Sequence, residues 1–214
     1  MIPPTLDLER ALLANGARTV VGIDEVGRGA LAGPVYVGAV VIDATIGAIP
    51  DGLTDSKALS AAARHRLEPL VAAWCRAWAL GRAEAQEIDA LGIVEALRVA
   101  ALRALAALPV ACDAVILDGS HDWLTGTADL FASAEPVPPV TTRVKADLSC
   151  ASVAAASILA KVARDRRMVE LEADLPGYGF ASHKGYGSAT HRQAIATLGA
   201  TSEHRRTWRL LPDG

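Results

Sequence analysis

Residues 35–42 read Val-Tyr-Val-Gly-Ala-Val-Val-Ile, a nearly continuous apolar run of β-branched character. A run of this length and type reads as a strand, and the lack of polar alternation means that both of its faces must be covered. A shorter apolar run, Val20 to Asp24, comes just before it as a second strand, and Glu25 and Gly27-Arg28-Gly29 follow directly. The fold must therefore place other layers on both sides of a sheet.

The rest of the chain supplies those layers. Residues 6–14 read as a short helix stopped by Gly16. Ser60 is placed to cap a helix to about Val71, which Pro69 is expected to kink or shorten. Residues 75–82 suit a third strand, and 84–107 suit a helix in two pieces broken near Gly92 and closed by Pro109. Ala114 to Leu117 is a short strand ending in Asp118-Gly119, and Val140 to Lys145 is another that leads to Asp147. Ser149 is expected to cap a long helix through about Ala173, and a last helix over 189–198 stops at Gly199. The expectation is an α/β layer structure: one domain over 1–214 with a central mixed sheet, whose last part, from about 177, is a helical subdomain.

Composition narrows the function. No apolar stretch approaches 18 residues without a charge, and the start lacks the basic-then-apolar pattern of a signal peptide, so neither membrane nor leader is expected. Three widely spaced cysteines without a C-x-x-C pair suit a reducing cytoplasm and give no zinc site. Any metal should be a hard ion held by oxygen. The net charge of −3 hides an asymmetry: residues 1–142 carry 10 basic and 17 acidic groups, residues 143–214 carry 11 and 7. The second stretch can supply phosphate contacts and the first metal-binding acids.

Asp24-Glu25 followed by Gly27-Arg28-Gly29 makes two opposed demands. Glycines let backbone N–H groups approach a phosphate or sugar, whereas adjacent carboxylates repel a phosphate unless a cation lies between. Taken alone, such an acid pair is more often a solvated strand end. A dinucleotide loop fits poorly, because the spacing is G-x-G-x-x-x-G and the acids precede it. Asp118 and Asp147 add two more acids near strand ends, and four carboxylates suffice for two Mg²⁺ ions, one activating water and one stabilising the leaving oxygen. Adjacent strand residues point to opposite faces, so Asp24 and Glu25 reach a common metal only if the strand ends or twists there, or if Glu25 uses its backbone carbonyl. Asp165 lies too far along a helix from Asp147 to share a site, and Lys161 at i−4 marks it as an ion pair.

These elements resemble bacterial ribonuclease HII, the type 2 ribonuclease H. The matching stretches are Gly22-Ile-Asp-Glu-Val-Gly-Arg-Gly29, Asp55-Ser-Lys-Ala-Leu-Ser60, Leu117-Asp-Gly119, Ala154-Ala-Ala-Ser-Ile-Leu-Ala-Lys-Val-Ala-Arg-Asp165 and Tyr178-Gly-Phe-Ala-Ser-His-Lys-Gly-Tyr186, in the family's order. The resemblance implies a ribonuclease H-like fold and hydrolysis of RNA paired with DNA. It also implies incision 5′ to single ribonucleotides in duplex DNA, leaving 3′-hydroxyl and 5′-phosphate ends. It assigns Asp24, Glu25, Asp118 and Asp147 as catalytic metal ligands for Mg²⁺ or Mn²⁺. It gives Gly27, Arg28 and Gly29 the ribose 2′-OH, the group that distinguishes RNA from DNA. Tyr186 would pack on the sugar at the RNA–DNA junction.

Lys57 and Lys184 are candidate phosphate contacts, and His183 is expected to orient the Lys184–Tyr186 turn. Ser152 and Ser157 are expected to serve close helix packing, and the four tryptophans to serve packing generally. Gly187-Ser188 departs from the family's usual Pro-Thr or Gly-Thr and would loosen that turn. No glutamine-led apolar clamp-binding motif is seen in the tail, so docking to a sliding clamp is not expected; a monomer with no obligate protein partner is expected.

Overall fold

The computed structural model describes residues 3–125 and 137–211. The apolar runs form a five-stranded sheet in the order β3-β2-β1-β4-β5. Its strands are β1 (Thr19–Val26), β2 (Val35–Asp43), β3 (Ala77–Ala83), β4 (Ala114–Asp118) and β5 (Val140–Arg143). β1, β2 and β3 pair antiparallel, whereas β4 and β5 add to β1 in parallel, so the sheet is mixed. β2 is buried over residues 35–42, as its unbroken apolar run requires.

The helices are α1 (Asp7–Ala14), α2 (Ala61–Trp74), α3 (Ala85–Leu91), α4 (Ile93–Ala106), α5 (Ala146–Ser149), α6 (Ala151–Asp174), α7 (Phe180–His183) and α8 (Ala189–Leu198). α6 covers one face of the sheet and α4 the other, giving two cores. Close approach of α6 depends on glycine: a Cβ on Gly22 would collide with the Ser152 backbone and hydroxyl, and one on Gly38 would lie 2.5 Å from the Ala156 oxygen. The alanine-rich first half of α6 is the other side of that fit. A third, smaller core of Ala32, Met168, Leu171, Tyr178 and Phe180 seats the C-terminal helices.

Four local expectations change. β1 does not stop at Asp24 but stays paired with β2 through Val26. Pro69 does not end α2 early, because buried Leu67 and Val71 pack into the α6-side core and the helix continues to Trp74. β5 ends at Arg143, and Lys145 takes a left-handed turn, φ 58°, before α5. Ser149 does not cap α6. Its hydroxyl donates to the Lys145 carbonyl and accepts from Arg143, closing α5. The α6 N-terminus is instead met by Glu9 of α1, whose Oε1 accepts from the Ser152 N–H at 2.9 Å and hydroxyl at 2.8 Å. A negative group suits that end of a 24-residue helix, although burial raises the carboxyl's pKa.

Candidate active site

The acids gather at the end of the sheet where parallel strands β1 and β4 finish side by side. Ile23 pairs with Leu117, so Asp24 and Asp118 are the next residues along neighbouring strands. Asp147 arrives from α5, and Asp118 itself fastens that helix to the strand end, its Oδ1 accepting the Ala146 N–H at 2.7 Å. The left-handed Lys145 makes that turn, a conformation a non-glycine residue adopts at a cost of about 1–3 kcal/mol.

Asp24 is 3% exposed and Asp147 6%. Burial raises the pKa of Asp24 far above the usual carboxylate range, with repulsion from Glu25, Asp118 and Asp147 adding to it. Asp118 is pushed up by burial and then by Asp147. Glu25 rises through burial and Asp118, opposed by Arg28, whose Nη1 lies 3.4 Å from Oε1. Because β1 continues past this pair, the alternation stands: Asp24 shares the α6 face with Gly22, and Glu25 the opposite face with Ile23.

Lys57, expected at a phosphate, lies among the acids. Its Nζ donates to Asp147 Oδ2 at 3.2 Å and stands 3.9 Å from Asp55 Oδ1. Burial works against its charge, but Asp24, Asp55 and Asp147 outweigh it and raise its pKa. The loop holding Lys57 is pinned to α6, where Ser157 Oγ accepts the Ser56 N–H at 3.0 Å. Among the described residues, no three His, Cys, Asp or Glu side chains already stand arranged as a metal cage. The donor set is nevertheless all oxygen, its charges repel one another, and a hard divalent cation would relieve that repulsion.

Beside the acids, the Gly27–Gly29 loop is held from beneath by two fully buried arginines. Arg205 donates to the Gly27 carbonyl at 2.6 Å, the Arg28 carbonyl at 2.8 Å and the Gly33 carbonyl at 3.1 Å. Arg164 donates to Pro34, Ala32 and Lys184 carbonyls and lies 5.5 Å from the Tyr186 ring centre. Neither makes a carboxylate bond among the described residues, and burial lowers the pKa of Arg205 to about 9, with Arg164 repelling it. Gly27 has φ 89°, and a Cβ there would collide with the Arg164 guanidinium. Gly29 has no such constraint: nothing lies within 4 Å of its Cβ position.

Tyr186 is 39% exposed on the turn after α7. His183 orients this turn as expected, its Nδ1 accepting the Gly185 N–H at 3.1 Å. Ser188 follows this turn at the start of α8. Its hydroxyl caps α8 by accepting the His191 N–H at 3.2 Å. Lys184 Nζ donates to the Ala181 carbonyl and lines a groove of about 640 Å³ between α2, α6 and α7. Asp165 is the expected ion pair, 2.6 Å from Lys161 Nζ, with Arg64 of α2 adding a second contact at 3.6 Å. Sequence reasoning assigns no site role to Arg164, Arg205, His191 or His204. For Arg164 a signal existed, since it falls on the α6 stripe Ser157, Ala160, Met168 and Leu171, all buried.

Comparison with known proteins identifies the family. Residues 21–211 match the family described as Ribonuclease HII. A Ribonuclease HII of Streptomyces griseus is 50% identical over 98% of this chain and 85% of its own length. Among solved structures, the Archaeoglobus fulgidus RNase HII in its PCNA complex matches with a TM-score of 0.72 at 26% identity, over 92% of this chain and 98% of that one. A Bst-RNase HIII solved with Mn²⁺ shares the fold with a TM-score of 0.66 at 22% identity, over 94% of this chain and 70% of that one. No helix among the described residues is long and apolar enough to cross a membrane. The chain belongs to the ribonuclease HII family and is a ribonuclease H-type endonuclease.

Proposed function

We propose that this endonuclease hydrolyses the RNA strand of RNA–DNA hybrids and also incises 5′ to single ribonucleotides embedded in duplex DNA, leaving 3′-hydroxyl and 5′-phosphate ends. The observation that carries the reading is one of adjacency. Mutually repelling Asp24 of β1, Asp118 at the end of β4 and Asp147 of α5 stand together, and β1 itself runs straight into the Gly27–Gly29 loop.

Asp24, Asp118 and Asp147, with Glu25 contributing through its backbone carbonyl because its side chain lies on the other face of β1, would hold divalent ions, Mg²⁺ or Mn²⁺, two in the working complex. Such ions supply a nucleophilic water at neutral pH and stabilise charge on the phosphate and leaving oxygen. The ammonium of Lys57 offsets part of the acids' charge. Arg205 fixes the carbonyls of Gly27 and Arg28, so the loop is preorganised. Gly29 leaves open space where a side chain would stand, which supports close approach of a ribose 2′-OH. Arg28, half exposed, reaches phosphate or sugar, and Tyr186 packs on the sugar at the junction. Lys184 is offered to a backbone phosphate. All of this lies in one domain over 1–214, with the part from about 177 onward contributing to substrate binding.

Matched duplexes carrying zero, one and four ribonucleotides, each with Mg²⁺, Mn²⁺ or chelator and with product ends mapped, test the reading. Cleavage is expected for one and four ribonucleotides with metal only, the single-ribonucleotide cut falling on its 5′ side. Cutting of the all-DNA duplex, or activity in chelator, would overturn it.

A further inference from the structure

Three histidines lie behind the turn that carries Tyr186: His183 of α7, His191 of α8 and His204 in the C-terminal segment. His191 is 0% exposed and His204 1%. The His183 and His191 rings stack at 4.3 Å, and Phe180 meets both edge-on. Backbone donors determine where the ring protons must sit.

The Thr201 N–H donates to His204 Nδ1 at 3.0 Å, so a neutral His204 carries its proton on Nε2. That Nε2 lies 3.2 Å from His191 Nε2, which must therefore accept. His191 then holds its proton on Nδ1 and donates it to the Tyr186 carbonyl at 3.0 Å. The result is a one-way chain of hydrogen bonds from Thr201 through both rings to Tyr186. A further proton on either ring would set N–H against N–H. His183 is fixed independently, accepting from the Gly185 N–H and donating from Nε2 to the Tyr178 carbonyl at 2.7 Å.

The residue next to His204 is Arg205, which holds the Gly27 and Arg28 carbonyls. The backbone of this dipeptide is itself fastened, since the Arg205 N–H donates to the Leu31 carbonyl at 2.9 Å. One short segment thus reaches the Tyr186 turn through His191 with one side chain and grips the glycine loop with the next.

We propose that His191 is a positioning residue for Tyr186, and that the His204-Arg205 dipeptide sets the spacing between that tyrosine and the Gly27–Gly29 loop. The inference rests on the reading of Tyr186 as the group that packs on the sugar at the RNA–DNA junction.

The test combines kinetics with spectroscopy on the full chain. His191→Phe keeps a ring against Phe180 but deletes both hydrogen bonds. Its kcat/KM should fall about tenfold more on a duplex with one ribonucleotide than on one with four, a differential of about 1.4 kcal/mol. Tyr186→Ala should shift the same ratio, and the double variant should be no worse than Tyr186→Ala. His191→Asn, which keeps a donor near the Nδ1 position, should recover part of the loss. Multiplicative effects, or an unchanged ratio in His191→Phe when Tyr186→Ala shifts it, would overturn the positioning role. If Tyr186→Ala itself leaves the ratio unchanged, the junction reading fails. The proposal falls with it, while ¹⁵N NMR of the wild-type rings still tests the hydrogen-bond chain separately. That spectrum should show Nδ1–H for His191 and Nε2–H for His204 at pH 7, and the opposite tautomer or a charged ring at either would contradict the chain. The spectrum also decides the matter should His191→Phe fail to fold.

Discussion

The two halves of the site are built on opposite principles. At the acid floor, Asp24 is buried and Glu25 and Asp118 half-buried, all three with raised pKa values, and the ammonium of Lys57 offsets only part of their charge. At the reading edge, the Gly27–Gly29 loop and the Tyr186 turn are tied by hydrogen bonds from Arg164, Arg205, His183 and His191. The floor is electrostatically incomplete without a cation, whereas the edge is complete before any substrate arrives. The difference follows from what each half must do. Metal ligands must retain free lone pairs, but a group that tests for one hydroxyl must be fixed in advance.

The largest break in this comparison should come from the floor. Asp24→Asn or Asp118→Asn should lower the rate of cleavage with Mg²⁺ by about a hundredfold or more, while metal-free thermal stability rises because a repelling charge is gone. Loss of both activity and stability would mean that the acids serve the fold. At the edge the order reverses. Gly27→Ala forces a Cβ into Arg164 at a φ of 89° and should cost about 2–4 kcal/mol in urea unfolding. A neutral outcome would show that the loop is not pinned from beneath.

Acid titration sharpens the contrast, because the two halves respond with opposite sign. Burial, with His191, Arg206 and His183 adding repulsion, lowers the pKa of His204 from 6.5 to about 4. The unfolded chain therefore takes up that proton first, and stability is lost as pH falls from about 6.5 toward 4. The effect is on the order of 3 kcal/mol, and His204→Gln should abolish this component. The raised carboxylates of the floor work the other way. Their folded form holds protons more tightly, so stability without metal increases as pH falls through their folded pKa values. Asp24→Asn should remove part of that component. Calorimetric profiles in which both variants change the slope with the same sign would contradict the division.

The smallest effect on the fold is expected at Gly29. With open space around it, Gly29→Ala should change stability by less than about 0.5 kcal/mol, yet lower cleavage of a single-ribonucleotide duplex about tenfold, or about 1.4 kcal/mol. Equal activity would leave Gly29 outside the ribose-reading surface.

What the chain discloses in advance follows the range of the interactions involved. The strands around Ile23 and Val40 and the break at Gly92 are local signals of periodicity and backbone freedom, and the structure follows them. Asp24, Asp118 and Asp147 are legible as acids near strand ends, and their meeting depends on the parallel pairing of β1 with β4. Legibility fails where a distant partner decides. Ser149 has every local mark of an α6 cap, but Glu9, 143 residues away from Ser152, takes the role. Pro69 is overruled by the packing of Leu67 and Val71. Arg205 carries no local signal of its role, because the Leu31 and Gly33 carbonyls that meet it are brought there only by the fold.

Thermal unfolding of the wild-type protein and Asp24→Asn, each titrated with Mg²⁺ at pH 7, tests the central claim most directly. If the buried acids form an electrostatic site awaiting a cation, wild type should start lower and rise with Mg²⁺, by about 2.7 kcal/mol at a hundredfold excess over Kd. Asp24→Asn should start higher and rise less. A wild-type midpoint unmoved by Mg²⁺, or equal Mg²⁺ responses in the two proteins, would contradict it.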